Sequence, residues 1–323
     1  MSELYPLQFT SILKEKIWGG EKLRTVFGKS GAGKHTGESW EISAVPGDVS
    51  TVANGPLKGK TIQQLIGQYG EALLGTALTD HAAQFPLLLK YIDAADNLSV
   101  QVHPGDQLAR KRHSSSGKTE MWYIIDADPG AELILGFTKA VTEAEYVSRL
   151  QDGSLMRILR RIPVKSGDAF YVPAGRVHGI GRGILLAEIQ QTADITYRLY
   201  DYDRVDASGQ TRELHADLAR EAINFLDTEA GPISYHATVD QPVELVRSEY
   251  FSTSVIQCRS PLSRETRGDS FVAYMIIAGK VVIRSSRSGN YPFAAGEAVL
   301  VPASFGSYTL DPSQSATVLE IKL

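Results

Sequence analysis

The sequence has a single cysteine, Cys258, among its 323 residues. One thiol cannot form a disulfide within the chain, which excludes a scaffold held together by internal disulfide bonds. Such a composition suits a reducing cytosol. The first 20 residues also lack the order of basic, apolar and small residues that marks a signal peptide. We therefore expect a cytoplasmic protein.

Long apolar runs and an excess of charge are lacking as well. No stretch reaches the roughly 18 consecutive apolar residues of a membrane helix, and a net charge of −4 gives no basic field for nucleic acid. We expect neither a membrane nor a nucleic acid as partner. Hydrophobic residues make up 43% and charged residues 22% of the chain, as in soluble globular proteins. The length allows two domains, each with its own core.

Short alternating segments separated by Gly and Pro occupy most of the chain. Gly37–Asp48 predicts a strand with Glu38, Trp40 and Ile42 on one face, and Ile17–Gly20 predicts a turn. Helical spacing predicts helices over residues 61–74, 142–150 and 215–225. A run of short strands favours a β-sandwich or barrel over a parallel α/β sheet.

The segment Phe85–Trp122 carries the most informative polar residues. The alternation in LSVQVH puts Ser99, Gln101 and His103 on one face of an extended strand and apolar side chains on the other. Three inward polar groups are costly without a partner, which could be solvent, a bound ion or both. Glu120 follows in a second β-prone segment. The pattern indicates potential metal-ligand chemistry on strands.

A short internal repeat adds another candidate ligand. GDAFYVPA begins at Gly167 and aligns without gaps with GEAVLVPA, which begins at Gly296. The eleventh residue after the first glycine is His178, and the eleventh after the second is Ser307. The first copy can therefore bind a metal at this position, whereas the second has lost the ligand type.

The first copy resembles the second motif of the cupin superfamily, whose jelly-roll barrel carries a metal. On that resemblance the fold class expected is mainly β with a few helices, arranged as two cupin-like jelly-roll β-barrel domains. Residues 1–240 would form the catalytic domain, with helical elements, and residues 241–323 a β domain without metal ligands.

The four candidate ligands are chemically compatible. His103 and His178 supply imidazole nitrogen, Glu120 a carboxylate oxygen and Gln101 an amide oxygen. Nitrogen and oxygen donors without thiolate suit Zn²⁺ or another divalent first-row ion in an open catalytic site. Spacing alone does not establish this, because a lone His is more often a surface or core residue. Glu120 could equally be a solvated carboxylate and Gln101 a core amide.

Several longer segments together resemble type I mannose-6-phosphate isomerases, also called phosphomannose isomerases, and particularly their short bacterial form. They cover most of the first two-thirds of the chain; beyond about residue 240 only generic cupin-like character remains. The segments are FPLLLKYIDAADNLSVQVHP with GKTEMWYI, IWGG at 17–20, GESWEIS at 37–43, VPAGRVHGIG at 172–181 and AEIQQTADITYRLYDYDR at 187–204.

This resemblance implies an enzyme with one Zn²⁺ per chain that interconverts mannose 6-phosphate and fructose 6-phosphate. The metal ligands it implies are Gln101, His103, Glu120 and His178. The substrate and phosphate contacts it implies are Lys90, Ser99, Lys118, Asp194, Arg198 and Arg204. Glu188 and Trp18 complete the substrate side, Trp18 on the resemblance alone, because the sequence itself favours a packing role for that residue.

The chemistry of an aldose–ketose shift agrees with this set. Arg and Lys match a dianionic phosphate, a divalent cation stabilises the enediolate charge, and a base moves the proton. The base is open among Lys118, Asp194, Glu188 and a metal-bound water. Arg198 is assigned to transition-state charge and substrate positioning.

Two other hypotheses remain. Without the resemblance, Arg198 and Arg204 would be read as part of an exposed strand of paired charges. A non-catalytic sugar-phosphate-binding cupin sensor is the alternative function, and the intact ligand set argues against it. For the assembly we expect a monomer or a small homo-oligomer.

Overall fold

The computed structural model describes residues 3–78, 84–205 and 209–323. The strands before residue 240 are β1 Leu7–Gln8, β2 Ile12–Gly20, β3 Thr36–Ile42, β4 Ala44–Val45, β5 Asp48–Val49, β6 Leu87–Ala94, β7 Val100–Val102, β8 Glu120–Ala127, β9 Glu132–Phe137, β10 Leu159–Pro163, β11 Ala169–Val172, β12 His178–Ile180, β13 Ile184–Gln191 and β14 Tyr197–Tyr200. The later strands are β15 Pro242–Arg247, β16 Ser252–Cys258, β17 Leu262–Glu265, β18 Val272–Ser285, β19 Gly289–Ala294, β20 Ala298–Val301 and β21 Ser307–Lys322. The helices are α1 Lys22–Thr25, α2 Ile62–Tyr69, α3 Glu71–Leu74, α4 Asp106–His113, α5 Glu143–Gln151 and α6 Ala216–Ala222, with a 3₁₀ turn at Leu155–Arg157.

The expected mainly-β class with a few helices is confirmed. The helix predicted over residues 61–74 is divided into α2 and α3 at Gly70, whose φ of 48° interrupts the helical backbone. Thr61 caps α2 by accepting a hydrogen bond from the Gln64 amide, and the Gln64 side chain accepts one from the Thr61 amide in return. No helix in the described ranges is long and apolar enough to cross a membrane.

The part of the chain before residue 240 contains two larger antiparallel sheets. One has the strand order β11-β8-β13-β6-β2-β3 and the other β10-β9-β12-β7-β14. A hydrophobic cluster takes side chains from both, including Trp122 and Leu186 from the first and Leu135 and Ile180 from the second. The sheets are therefore packed face to face but, unlike the expected barrel, neither closes on itself, because each strand order ends in two unshared edges.

The C-terminal region forms one larger sheet in which β20, β18, β21, β16 and β15 are neighbours. β1 forms the edge of this sheet beside β20, because Leu7 pairs with Leu300. A single hydrophobic cluster includes Tyr91 of β6 together with Ala273 and Leu319 of this sheet. The two regions thus share buried surface, and the division at residue 240 stays a prediction.

Ile17–Gly20 was predicted as a turn, and this prediction is wrong: the residues complete β2. The glycines serve a close approach between backbones. A Cβ on Gly19 would lie 2.3 Å from the carbonyl oxygen of His35, well inside van der Waals contact. Glycine lets β2 continue past the start of β3 while Trp18 turns into the core.

A β-bulge changes the faces of β3. Trp40 pairs with Lys90 and Ile42 with Leu89, so Glu41 is an extra residue opposite a single step of β6. Glu38 and Trp40 share a face as predicted, linked by a hydrogen bond from Trp40 Nε1 to Glu38 Oε2 of 2.6 Å. Ile42 instead packs on the opposite side of the sheet, in the cluster that contains Leu89.

Candidate active site and metal centre

Three buried side chains converge where the two sheets face each other. His178 begins β12 and lies opposite Gln101 of β7. Glu120 begins β8 in the other sheet, and His103 follows directly after β7. Antiparallel pairing of β7 with β12 therefore brings together two motifs that are far apart in the sequence.

The distances within this group are short. His103 Nε2 lies 3.2 Å from Glu120 Oε1, and His178 Nε2 lies 3.9 Å from Glu120 Oε2. One ligand atom from each residue falls within 4.8 Å of the others, and each side chain is only 1% exposed. Such a spacing leaves room for one small cation between the three groups.

The imidazole tautomers are set by backbone carbonyls. Nδ1 of His103 lies 2.8 Å from the Ile195 carbonyl oxygen, and Nδ1 of His178 lies 2.9 Å from that of Arg176. Each Nδ1 must carry a proton to donate, so each Nε2 presents a lone pair towards Glu120. Burial, aided by the Lys118 charge, lowers the pKa of His103 to about 3, which keeps this imidazole neutral.

Two of these buried atoms lack a hydrogen-bond partner among the described residues. They are His103 Nε2 and Glu120 Oε2, and both are acceptors in the tautomer described above. Buried acceptors without donors are costly. A divalent cation would satisfy both, so the residues fit a metal ion bound by nitrogen and oxygen.

The fourth predicted ligand lies beside the group. The Gln101 amide is 3.3 Å from His178 Nε2, and its oxygen accepts a hydrogen bond of 3.3 Å from Ser99. Glu120 is held as an anion here. Burial acts to raise its pKa, but the charge of the Lys118 ammonium, 3.3 Å away, is the largest effect in the opposite direction, and the pKa lies well below its usual range.

A cavity of about 100 Å³ opens next to His103, Glu120 and His178, the candidate metal-ligand group. The residues from the predicted set that line it are Trp18, Lys90, Ser99, Gln101, Lys118, Glu120, Glu188, Asp194 and Arg198. His103 and His178 lie behind this lining, in contact with Glu120. Trp18 both faces the cavity and packs in the core between the sheets, at 4% exposure. All of the predicted site residues except Arg204 therefore lie in or next to this cavity.

One wall of the cavity is a buried ion pair. Lys90 Nζ lies 2.8 Å from Glu188 Oε1, and Trp122 Nε1 donates a 2.9 Å hydrogen bond to Glu188 Oε2. Burial and the neighbouring charge of Glu120 raise the pKa of Glu188 to about 7, against the opposing effect of Lys90. Glu188 can therefore exchange a proton near neutral pH.

Arg198 enters the cavity without a carboxylate partner in the described ranges. Its Nε donates to Ser99 Oγ at 3.3 Å, and a terminal nitrogen donates to the Glu213 carbonyl at 2.9 Å. Burial and the positive charge of Arg212 lower its pKa, although it remains a cation at neutral pH. An uncompensated guanidinium at this place is suited to an anionic ligand.

The structure distinguishes Arg204 from Arg212. Both bind Asp201, Arg204 at 2.7 Å and Arg212 through Nε at 2.7 Å, but Arg212 lines the cavity and Arg204 does not. Arg204 instead reaches Asp96, 3.2 Å away. Sequence reasoning missed Arg212, because only the return of the chain at the Val205–Thr211 bridge places it here.

Sequence reasoning also gave no role to Glu38 and Lys16, which both line the cavity. Their side chains are 3.2 Å apart. Burial acts to raise the pKa of Glu38, but Lys90 and Lys16 lower it to about 2. The shared face of Glu38 and Trp40 on β3 was the available signal, since a buried carboxylate on an inward face needs cations nearby.

The C-terminal region has an equivalent place without ligands. In the first region Val172 pairs with Glu120, and in the repeat the matching Val301 pairs with Val272. Valine thus stands where the metal-ligand carboxylate would be. Ser307, the counterpart of His178 by sequence, is exposed at the start of β21. These two positions therefore carry neither the carboxylate nor the imidazole found in the first region.

The C-terminal region nevertheless has an acidic residue, Glu320, at the position that matches Glu188. Glu320 pairs with Tyr274 across the sheet as Glu188 pairs with Trp122, and Tyr274 donates a 2.9 Å hydrogen bond to it. The Glu320 carboxylate also contacts Arg264 and lies 2.9 Å from Lys322. Two cations rather than one thus neutralise Glu320, which favours a structural role.

Comparisons with known proteins agree with this geometry. The family model described as phosphomannose isomerase type I, catalytic domain, matches residues 6–147, and the mannose-6-phosphate isomerase cupin domain matches residues 242–319. A probable mannose-6-phosphate isomerase, GmuF of Bacillus subtilis, is 40% identical over 95% of this chain and 96% of its own length. Mannose-6-phosphate isomerase ManA of the same organism is 39% identical, covering 95% and 96%.

A solved structure is also similar over nearly the whole chain. The mannose 6-phosphate isomerase from Bacillus subtilis superposes with a TM-score of 0.90 at 36% identity, covering 98% of this chain and 99% of that one. Identity at this level over nearly the whole of both chains reaches well beyond the segments that carry the metal-ligand group. The chain belongs to the type I phosphomannose isomerase family.

Proposed function

We propose that the chain interconverts mannose 6-phosphate and fructose 6-phosphate in the cavity beside His103, Glu120 and His178. The similar proteins named above are mannose-6-phosphate isomerases by name. One observation carries the proposal: two buried imidazoles turn their unprotonated Nε2 atoms towards a buried carboxylate, next to a cavity that holds the unpaired cation Arg198.

Zn²⁺ is the cofactor, and its proposed ligands are His103, Glu120 and His178, with Gln101 as a neutral oxygen donor. The donor set without thiolate suits a catalytic rather than a structural zinc site. When bound, the ion supplies Lewis-acid stabilisation of negative charge on the substrate oxygens. The protein's own part is to keep both imidazoles neutral and in the correct tautomer through Ile195 and the Arg176 carbonyl.

The phosphate group is proposed to bind near Arg198 and Arg212. Arg204 and Arg212 are paired with Asp201, and Arg204 also with the exposed Asp96. Arg198 has no carboxylate partner in the described ranges, so the three arginines together retain positive charge. Of the three, Arg198 and Arg212 face the cavity. A guanidinium fork matches phosphate oxygens in a planar, bidentate way.

Glu188 is the proposed group that moves the proton between neighbouring carbons of the substrate. It lines the cavity, and its pKa of about 7 suits an acid–base catalyst at neutral pH. Lys118 and Asp194 line the same cavity. We assign Lys118 to stabilising negative charge on the substrate, since its ammonium already faces Glu120 at 3.3 Å.

The direct test is to remove metal with a chelator, assay conversion of mannose 6-phosphate and then restore Zn²⁺. We expect activity to disappear and return. Separately, His103→Ala and His178→Ala should lose both metal and turnover, whereas Arg198→Ala should keep metal and lose turnover. Zinc-loaded protein that binds fructose 6-phosphate but does not convert it would refute an isomerase and support the sensor.

The remaining proposals concern the location, the partners and the oligomeric state of the protein. We propose a cytoplasmic location, no nucleic acid or membrane partner, and a monomer or small homo-oligomer. The balanced charge of the sequence supports the absence of a nucleic-acid partner. Size-exclusion chromatography with light scattering would determine the oligomeric state.

A further inference from the structure

A hydrogen-bonded group centred on Asp106 lies just outside the candidate site. Asp106 is the first residue of α4. Its Oδ1 accepts a 2.6 Å hydrogen bond from the Gly117 amide and a 3.1 Å bond from Gln191 Nε2. One carboxylate oxygen therefore joins the start of α4, the segment after it and the end of β13.

The same group continues to the residues that carry the site. The Gln191 side-chain oxygen accepts a 2.9 Å hydrogen bond from the Thr119 amide, and Thr119 stands between Lys118 and Glu120. The Lys118 amide in turn donates to the Pro104 carbonyl at 3.2 Å. Three consecutive amides, from Gly117 to Thr119, are thus all tied to fixed acceptors.

These ties add to two other hydrogen bonds of the segment, from the Gln191 amide to the Thr119 carbonyl at 3.2 Å and from Ser116 Oγ to the Thr192 carbonyl at 2.8 Å. Residues 114–119 belong to no helix or strand, and β8 begins only at Glu120. Gly117 allows the approach: a Cβ there would lie 2.6 Å from the Asp106 amide nitrogen. Glu120 itself is paired on both sides of β8, with Val172 and with Gln190. The Asp106 group therefore holds the backbone of residues 117–119 directly before Glu120, where the chain enters this strand.

The second oxygen of Asp106 connects this group to the C-terminal region. Tyr250, in the loop between β15 and β16, donates a 3.2 Å hydrogen bond to Asp106 Oδ2. Arg110 is 3.7 Å from the same oxygen and is largely exposed. Tyr250 is therefore the half-buried contact through which the C-terminal sheet reaches the segment before Glu120.

We propose that Asp106 is a positioning residue for Lys118 and Glu120, and that Tyr250 makes this positioning depend on the C-terminal region. This inference rests on the proposed metal site. Asp106 touches neither the cavity lining nor the metal-ligand group; it acts through Gln191 and the amides of Gly117 and Thr119. The C-terminal region, which lacks ligands of its own, would in this way contribute to metal binding in the first region.

The test compares Asp106→Ala, Asp106→Asn and Tyr250→Phe in the full chain. Zinc affinity is measured on metal-free protein by competition with a chromophoric chelator, and exchange of the amides at 117–119 by hydrogen–deuterium exchange. Loss of a residue hydrogen-bonded directly to a metal ligand typically costs roughly 10- to 100-fold in metal affinity. Asp106 acts through Gln191 and the Gly117 amide, so we expect Asp106→Ala to lie at the lower end of this range, together with faster exchange. Asp106→Asn keeps an oxygen for the Gly117 amide and should recover part of the loss.

Tyr250→Phe keeps the aromatic ring and removes only the hydroxyl, so it should fold and should weaken zinc binding by roughly three- to tenfold, a smaller part of the same effect. Tyr91→Phe is the matched control. Its hydroxyl also links the two regions, donating to the Ile276 carbonyl at 3.0 Å, but it does not reach residues 104–120. This control should lower the melting temperature without changing zinc affinity.

Unchanged zinc affinity and unchanged exchange at 117–119 in both Asp106→Ala and Tyr250→Phe would overturn the inference, even if both variants melt earlier. If Asp106→Ala fails to fold, Asp106→Asn and Tyr250→Phe still decide the result. If the unaltered protein binds zinc but shows no isomerase activity, and Tyr250→Phe still weakens binding, the proposed function fails while the positioning role stands.

Discussion

Replacement of Arg212 by Met tests which arginine recognises the phosphate. Arg212 faces the cavity, while Arg204, bound to the same Asp201, faces Asp96. The two arginines therefore form a matched pair, since each loses a comparable ion pair with Asp201 when it is replaced. Only Arg212→Met should also lose a contact with the substrate.

The magnitude follows from the type of contact. A hydrogen bond to a charged group contributes about 1.5–3 kcal/mol, and each 1.4 kcal/mol is about a factor of ten. We expect Arg212→Met to lower kcat/KM for mannose 6-phosphate roughly ten- to hundredfold, mainly through KM. For Arg204→Met we expect a change within about threefold, because Arg204 does not line the cavity and its pair with the exposed Asp96 contributes about 1 kcal/mol or less. Its other partner, the buried Asp201, keeps Arg212 as a cationic partner.

The assay is steady-state isomerisation of mannose 6-phosphate, compared with binding of unphosphorylated mannose to the zinc-loaded protein. The loss in Arg212→Met should be confined to the phosphorylated sugar. A larger loss in Arg204→Met than in Arg212→Met would refute the reasoning from the cavity and favour the assignment of Arg204 that the family resemblance implied. An equal loss for both sugars would show that Arg212 acts on folding rather than on the phosphate.

Three further predictions concern the acids and the metal. Glu188→Gln should retain zinc and lose roughly 100-fold or more in kcat, as expected for removal of an acid–base group; atomic absorption with the isomerase assay checks both, and full activity would exclude Glu188 as the proton carrier. Burial acts to raise the pKa of Glu320, but Arg264 and Lys322 lower it, so its contribution to stability is present above its unfolded value of about 4.5 and is lost as pH falls through the lower folded value. Glu320→Gln should accordingly melt earlier than the unaltered protein at pH 7, and the difference should shrink below about pH 4.5; a constant difference would contradict this. Zn²⁺ at 100 times its Kd should raise the free energy of unfolding by about 2.7 kcal/mol, and in His178→Ala the same zinc concentration should leave the denaturation midpoint unchanged.

The metal-ligand group was the part that local sequence patterns predicted best. Alternation in LSVQVH places Gln101 and His103 on one face, and the repeat beginning at Gly167 singles out His178. Both signals are local, because strand periodicity and a Gly-Pro turn fix side-chain direction within a few residues. Glu120 was a candidate from its β-prone segment, with a solvated carboxylate as the alternative, and the roles of the cationic residues came from the resemblance to a family.

Other features depend on contacts that no local pattern encodes. The bulge at Glu41 places the Ile42 side chain on the opposite face of the sheet, because it shifts the register of β3 against β6 by one residue. Arg212 reaches the cavity only because a bridge between Val205 and Thr211 returns the chain to this place. The pairing of β1 with the C-terminal sheet likewise joins distant parts of the chain. Tertiary pairing of this kind overrides the period and spacing from which strands are predicted.

That pairing has a consequence for synthesis in the cell. Leu7 is fully buried against β20, where it lies beside Leu300, so its partner leaves the ribosome only near the end of translation. At about 5–20 residues per second, this delay is on the order of 15 to 60 s. During that time β1 has its hydrogen bonds to Ala53 and Asn54 but lacks its β20 partner, which leaves an unpaired strand edge open to pairing with other chains. The closing of the C-terminal sheet would then be a late, post-translational step, slowed by the long loop it must close.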